Sequence, residues 1–182
     1  MNYFSYDVYD FITVDLIDAE VELKEVCDTL YKQGVKHWVS SGTLLGIYRD
    51  GKFLKGDTDI DIGIMTDKVP IIEGYEIRTI KIIGEVMQVI YKSPRNVAVD
   101  LTWFYEDGDN IISKNIVNRD VQGTWVKPKK MFESLDEVEF KGNRYPCPSP
   151  EQYFPMRFIN WRTPMPREGK DWWSFTGEMW CM

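Results

Sequence analysis

Acidic residues at every second position of an apolar segment are the feature that most constrains this chain. Residues 57–63 read Asp-Thr-Asp-Ile-Asp-Ile-Gly. Successive side chains of a β-strand point to opposite faces, so Asp59 and Asp61 are predicted to share one face, about 7 Å apart. Ile60 and Ile62 would then enter the core. Like charges on one face repel unless a cation lies between them. This pair therefore indicates a site for a hard divalent cation such as Mg²⁺ or Mn²⁺, although half-buried strands also carry alternating carboxylates on their solvent-facing side.

A glycine turn precedes the acidic pair. Residues 41–46 read Ser-Gly-Thr-Leu-Leu-Gly and are predicted to lead from a strand into a short helix. Backbone N–H groups in such a turn can bind an anion, and the hydroxyls of Ser41 and Thr43 add donors. An ordinary strand-to-helix turn around Gly42 is the alternative. Because the chain need only cross one short helix to return as a neighbouring strand, we expect the turn to lie beside the acidic pair.

A third acid, Asp100, interrupts the otherwise apolar segment 97–103. A carboxylate inside such a segment is unfavourable unless it is paired or bound to a metal. We predict that Asp100 shares the metal and orients or deprotonates an incoming hydroxyl. A solvent-facing position on a half-buried strand is the alternative.

Two basic residues follow the glycine turn and are candidates for phosphate binding. Arg49 is predicted to end the short helix, where its planar guanidinium could clamp a phosphate. A salt bridge from Arg49 to Asp50 or Asp57 is an equally good interpretation. Lys55 lies in the same loop and is the weaker candidate.

The composition limits the classes of protein to which this chain can belong. A chain of 182 residues with 43% hydrophobic residues predicts a single domain over residues 1–182. The net charge of −7 argues against general binding of a nucleic-acid backbone, but it is compatible with a nucleotide held by a metal and a few cations. The three cysteines match no zinc pattern and indicate reduced thiols in a cytoplasmic protein. No apolar run approaches the roughly 20 residues of a membrane-spanning helix.

Hydrophobic periodicity and turn residues predict an α+β fold. A helix is predicted at 15–33, ended by Gly34, and is followed by a strand at 35–40, a short helix at 43–48 and a strand at 59–65. β-Branched and aromatic residues then predict an antiparallel meander. Its strands would span 75–83, 85–91, 96–105, 111–116 and 121–126. A hairpin around 141–143, a helix from about 149 and an aromatic tail from Asp171 complete the expected order.

With these motifs, the chain resembles the LicD/fukutin-related family of the nucleotidyltransferase superfamily. The resemblance is densest in residues 38–65, which contain the glycine turn, Arg49-Asp50-Gly51 and the acidic strand. Fainter similarity extends to about residue 165 and includes Asp100 and the segment Trp161–Pro164.

The resemblance implies a nucleotidyltransferase-like mixed sheet flanked by helices. Asp59 and Asp61 match the metal pair, Asp100 the third acid, and Gly42 and Thr43 the phosphate loop. Arg49 matches an arginine common after that loop. The implied activity is transfer of a substituted phosphate, such as phosphocholine or ribitol phosphate, from a CDP-linked donor to a hydroxyl acceptor.

Three functions are compatible with this sequence. The first is the metal-dependent phosphotransferase just described, with a sugar hydroxyl as the expected acceptor. The second is a nucleotidyltransferase that moves NMP from an NTP to a small molecule, protein or RNA. The third is a non-catalytic nucleotide-binding or interaction module that keeps the fold.

Overall fold

The fold begins with an amphipathic helix that covers one face of the sheet. The computed structural model describes residues 16–83, 85–118, 121–158 and 160–164. Helix α1 spans Leu16–Lys32, within one residue of prediction at each end. The N–H groups of Gly34 and Val35 donate to the carbonyls of Tyr31 and Leu30, and Gly34 has a φ of 68°, as in a Schellman ending. The buried positions of α1 recur every three or four residues: Ala19, Leu23, Val26, Cys27 and Leu30.

A five-stranded mixed sheet forms the centre of the fold. Its strands are β1 (Lys36–Val39), β2 (Asp59–Met65), β3 (Glu76–Ile83), β4 (Glu85–Lys92) and β5 (Ala98–Trp103). The spatial order is β1-β2-β5-β4-β3, and only the β2–β5 pairing is parallel. Strand β5 therefore lies between β2 and β4, so segments far apart in sequence share one face. The predicted α+β class with a mixed sheet is confirmed.

The predicted meander is divided between two sheets. Strands β6 (Tyr105–Asp107), β7 (Asn110–Asn118) and β8 (Val121–Pro128) form a second antiparallel sheet. The single strand predicted at 96–105 is therefore wrong, because the chain leaves the central sheet at Phe104. The N–H of Phe104 donates to the carbonyl of Ile64 at 2.9 Å, and its buried ring turns the chain toward the second sheet. The predicted hairpin is present as β9 (Asp136–Phe140) and β10 (Asn143–Cys147).

The remaining helices are short. They are α2 (Ser41–Leu45), which continues as a π-helical turn over Gly46–Asp50, α3 (Lys130–Glu133), and α4 (Pro150–Tyr153), which continues as a 3₁₀ turn over Phe154–Met156. Helix α2 starts two residues earlier than predicted. The aromatic tail predicted from Asp171 lies outside the described residues. Within the described part of the chain, none of the helices has the length and hydrophobicity needed to cross a bilayer.

Close packing of Trp38 on Gly63 fixes the spacing of β1 and β2. The two residues are directly paired across the strands. Trp38 is fully buried, and its ring lies 5.0 Å from that of Phe104 and 4.9 Å from that of Phe132. A Cβ at Gly63 would lie 2.3 Å from Nε1 of Trp38, closer than real Cβ atoms approach. Glycine is therefore required here, and this contact positions the end of β1, from which the glycine turn starts.

Two of the three cysteines are described, and both are buried free thiols, Cys27 and Cys147. Burial raises the pKa of each thiol to about 12. Neither is a thiolate at neutral pH, so neither is suited to nucleophilic chemistry.

Candidate active site

The structure brings the three predicted acids together on one face of the central sheet. Asp61 on β2 is directly paired with Asp100 on the parallel strand β5. Asp59 lies two residues before Asp61 and therefore points the same way. One carboxylate oxygen from each of the three residues lies within 4.8 Å of the others. This separation allows all three to contact one divalent ion.

The glycine turn lies against this acidic face, as predicted, and it holds Asp61. The N–H groups of Gly42 and Thr43 donate to Oδ2 of Asp61 at 3.0 and 3.2 Å. In return, the N–H of Asp61 donates to Oγ1 of Thr43 at 2.9 Å. These two amides were expected to face a phosphate, but here they fix the orientation of a carboxylate. Phosphate binding by the turn stays a prediction.

A fourth carboxylate, that of Asp57, lies beside Gly42, as the carboxylate of Asp61 does. A Cβ added to Gly42 would lie 3.1 Å from Oδ2 of Asp57 and 3.3 Å from Oδ2 of Asp61. Asp57 is only 9% exposed, so its carboxylate belongs to the interior of the site. Glycine at this position keeps the space between the turn and the two carboxylates open. Asp57 precedes Asp59 by two residues, so residues 57–61 have the spacing Asp-x-Asp-x-Asp.

The crowded carboxylates disfavour the ionised form of Asp61. Burial raises the pKa of Asp61 well above its ordinary value, and the charges of Asp59, Asp57 and Asp100 raise it further. The hydrogen bond from the Thr43 N–H acts in the opposite direction. A bound divalent cation would remove this repulsion, so the arrangement fits a metal site better than a purely structural strand.

Asp100 is oriented by neighbours on two strands. The side-chain amide of Gln88 on β4 donates to Oδ2 of Asp100, and the hydroxyl of Thr102 donates to Oδ1 at 3.5 Å. Asp100 is 7% exposed. The alternative of a solvent-facing Asp100 is therefore wrong. Gln88 was missed in the sequence because its relation to Asp100 depends on the pairing of β4 with β5.

Ser41 has a strained backbone that the C-terminal segment supports. Its φ of 47° is left-handed, a conformation that side chains other than glycine rarely adopt. The N–H of Ser41 donates to the hydroxyl of Tyr153 at 3.2 Å. Nη2 of Arg157 donates to Oγ of Ser41 at 3.4 Å. Tyr153 and Arg157 are buried, and no local pattern in the sequence indicates that either side chain reaches the glycine turn.

The structure places the two predicted basic residues differently. Arg49 forms a bidentate salt bridge with Asp50 at 2.8 and 2.7 Å, and its Nη1 donates to the carbonyl of Trp161 at 3.0 Å. These contacts correspond to the salt-bridge alternative, in which Arg49 fastens the π-helical turn to the C-terminal segment. Lys55 is exposed in the loop before β2. For both residues, phosphate binding stays a prediction.

Replacing Thr43 with valine is expected to lower the stability of the protein, because it removes a buried hydrogen bond beside the acidic pair. Valine keeps the shape of threonine but leaves the N–H of Asp61 without the oxygen that it binds at 2.9 Å. Thr43 is fully buried, so the expected loss is about 1–3 kcal/mol of unfolding free energy. Thermal unfolding should show a melting temperature lower by about 2–10 °C. Thr43→Ser keeps the hydroxyl and is the matched control; equal melting temperatures for Thr43→Val and the unmodified protein would contradict this role.

Comparison with known proteins supports the sequence resemblance. The family described as LicD/FKTN/FKRP, nucleotidyltransferase domain matches residues 34–150, which is more than half of the chain. The ribitol-5-phosphate transferase FKTN of Macaca fascicularis is 28% identical over 125 residues, covering 64% of this chain and 25% of that protein. The human protein of the same name is 27% identical over 135 residues, covering 68% of this chain and 28% of that protein. The chain thus spans about a quarter of the length of these relatives.

A solved structure shares the fold. The lincomycin-bound lincosamide antibiotic adenylyltransferase LnuA superposes with a TM-score of 0.50 at 20% sequence identity. The match covers 74% of this chain and 82% of that one. At this level of identity, the similarity concerns the fold alone, and it confirms a nucleotidyltransferase-like architecture.

Proposed function

The chain belongs to the LicD/FKTN/FKRP nucleotidyltransferase domain family, and from this premise we propose that it is a metal-dependent transferase of substituted phosphate groups. The donor would be a CDP-linked compound, and the acceptor a hydroxyl group, most simply that of a sugar. The observation that carries the proposal is the convergence of three carboxylates from β2 and β5 within 4.8 Å. The relatives named as ribitol-5-phosphate transferases support a substituted phosphate as the transferred group.

The acidic residues present fit a hard divalent cation. Asp59, Asp61 and Asp100 offer only carboxylate oxygens, which Mg²⁺ and Mn²⁺ prefer. Burial and, after it, the neighbouring carboxylates raise the pKa of Asp61, and such an ion would relieve the repulsion among them. When bound, the ion would neutralise negative charge on the donor phosphates.

The chain's own residues would position the reactants. Asp100, held by Gln88 and Thr102, would orient the acceptor hydroxyl and accept its proton. The acceptor oxygen would bond to the phosphorus that carries the substituent, and the bond from that phosphorus to the bridging oxygen would break. CMP would then leave with the bridging oxygen. Most of the rate enhancement would come from positioning and charge stabilisation.

The glycine turn has a supporting role in this scheme. Gly42 and Thr43 keep Asp61 in place through their N–H groups, and the small size of Gly42 leaves room beside the carboxylates. We propose that the hydroxyl of Ser41 and the open side of the turn contact a donor phosphate. Arg49 and Lys55 are further candidates for this contact, of which Lys55 is the more exposed.

A nucleotide panel combined with product analysis tests the proposal. The protein would be mixed with CDP-choline, CDP-ribitol, CTP, ATP, GTP or UTP, each with and without Mg²⁺, and its melting temperature measured. CDP-linked donors with Mg²⁺ are expected to stabilise it most, since a ligand that binds only the folded state raises the melting temperature. Mass spectrometry of reactions with sugars should show an acceptor heavier by the substituted phosphate, together with released CMP.

Other outcomes would favour the other two functions. An acceptor heavier by a nucleoside monophosphate, with an NTP as the stabilising ligand, would indicate nucleotidyl transfer. A panel in which no nucleotide changes the melting temperature, with or without Mg²⁺, would contradict both enzymatic functions and favour a non-catalytic module.

A further inference from the structure

Two buried basic side chains lie beside the glycine turn, in a part of the chain that the sequence motifs did not include. Trp125 and Lys127 are two residues apart on β8 and share one face of the second sheet. Nζ of Lys127 lies 5.2 Å from the ring centre of Trp125 and 5.0 Å from that of Tyr153. Lys127 is only 3% exposed, so it does not act as an ordinary solubilising surface charge.

Arg157 completes this group from the C-terminal segment. Its guanidinium carbon lies 3.3 Å from the ring centre of Trp125, which indicates direct stacking. A stacked guanidinium keeps its N–H donors in the plane of the group, where they can still bind oxygens. One of them, Nη2, donates to Oγ of Ser41. We call Lys127, Arg157 and the rings of Trp125 and Tyr153 the cationic cluster.

The cationic cluster is linked to the acidic site through two adjacent residues. Arg157 and Tyr153 contact Ser41. The next residue, Gly42, donates its N–H to Asp61. The glycine turn therefore contacts the cluster through Ser41 and the acidic site through Gly42.

The acidic site and the cationic cluster together become complementary in charge to a phosphate ligand only when a metal ion is bound to the acidic site. Burying two like cations against one indole ring is unfavourable unless negative charge lies nearby. The charges of Arg157 and Asp61 both act on the hydroxyl of Tyr153, so Asp61 supplies negative charge near the cluster. A divalent ion on the aspartates would neutralise them, so that the cationic cluster then attracts additional anions. The buried cations would in this way favour phosphate binding after metal binding.

We propose that the cationic cluster binds the phosphate that remains on the leaving nucleotide of the donor. This inference rests on the proposed function for the identity of the ligand. When the bond between the transferred phosphorus and the bridging oxygen breaks, that oxygen gains negative charge as it leaves with CMP. Lys127 and Arg157 would stabilise this charge, and Trp125 would hold both cations in place. The cluster thus separates the roles within the site: the carboxylates act at the phosphorus under attack, and the cations act on the leaving group.

Binding measurements on cluster variants test this assignment. Calorimetry with Mg²⁺ would compare CDP, cytidine and inorganic pyrophosphate on the unmodified protein, Lys127→Gln and Arg157→Lys. We expect Lys127→Gln to weaken CDP and pyrophosphate binding at least tenfold, because a charged hydrogen-bond donor is lost. Arg157→Lys keeps the buried charge but loses the planar fork, so a loss of about three- to tenfold is expected. Binding of cytidine should change less than twofold in both.

A control variant is available on the same segment. Lys129, two positions after Lys127, pairs with Glu106 at the surface at 2.6 Å. Lys129→Gln removes one positive charge without touching the cluster, so its CDP affinity should equal that of the unmodified protein. If Lys127→Gln does not fold, Arg157→Lys can still test the cluster, because it leaves the number of buried charges unchanged.

The outcomes separate the cluster from the proposed function. Folded variants with unchanged CDP and pyrophosphate affinity, or with equal losses for cytidine and CDP, would overturn the cluster's role and leave the transferase proposal standing. In another outcome, the unmodified protein binds CDP and pyrophosphate equally well, and the variants weaken pyrophosphate binding. This outcome would support a phosphate-binding cluster and count against the CDP-linked donor. An unmodified protein that binds neither ligand would overturn both proposals.

Discussion

Replacing Asp59 with asparagine is expected to reduce metal-dependent transfer by about a thousandfold or more, while the protein remains folded. Asparagine has almost the same shape but offers a neutral oxygen, so the site loses one of the three carboxylates that lie within 4.8 Å of one another. Asp59 is half-buried at the start of β2 and is not the acid that anchors the glycine turn. Its replacement therefore tests metal binding with little disturbance of the loop. CMP release with Mg²⁺ measures the effect.

The same variant is expected to melt at a higher temperature than the unmodified protein when no metal is present. The charge of Asp59 is one of those that raise the pKa of Asp61, so removing it relieves repulsion in the metal-free protein. A gain of about 1 kcal/mol would raise the melting temperature by about 3 °C, whereas the Mg²⁺-induced increase should disappear. Asp67→Asn, at an exposed position after β2, is the charge-matched control. Full activity of Asp59→Asn would contradict the assignment of the metal site.

Replacing Gly63 with alanine is expected to cause a large loss of stability, about 3 kcal/mol or more. The added Cβ would lie 2.3 Å from Nε1 and 2.4 Å from Cε2 of Trp38. Trp38 cannot move aside easily, because it is fully buried and its ring packs against Phe104 and Phe132. The strands β1 and β2 would have to separate, and the glycine turn that follows β1 would shift with them. Chemical denaturation measures the loss.

A second substitution identifies the cause of that loss. Gly63→Ala combined with Trp38→Leu should be less destabilised than the sum of the two single variants, because the smaller side chain no longer meets the new Cβ. Gly108→Ala is the control for the change from glycine itself, since a Cβ there meets nothing within 4 Å and the φ of 57° alone would cost about 1 kcal/mol. Additive effects of the two substitutions would show that the contact with Trp38 does not explain the need for glycine.

The predicted part of the site depends on signals that are local in the sequence. Alternation placed Asp59 and Asp61 on one face of β2, and the cost of a carboxylate inside an apolar segment singled out Asp100. The short helical connection after β1 correctly brought the glycine turn next to β2. In each of these cases a few neighbouring residues determine the geometry, because strand periodicity and turn chemistry act over short distances.

The part that sequence reasoning missed depends on packing between distant segments. Lys127 and Arg157 are ordinary basic residues in the sequence, and only the packing of α4 and the following turn against β8 brings Arg157 to Ser41 and Lys127 to Tyr153. The contact of Gln88 with Asp100 likewise needs the correct strand order. The division of the meander at Phe104 was not visible either, because the apolar pattern continues through Tyr105 while the chain changes sheets.

The parallel pairing of β2 with β5 also governs when the site can form as the protein is synthesised. Asp61 leaves the ribosome well before Asp100, because β5 follows the β3–β4 hairpin in the chain and lies between β2 and β4 in the sheet. The three carboxylates therefore meet only once two strands that are far apart in sequence have paired. Under the proposed function, a divalent ion would bind only once this pairing exists, so it would stabilise the folded state and slow unfolding rather than direct the first steps of folding.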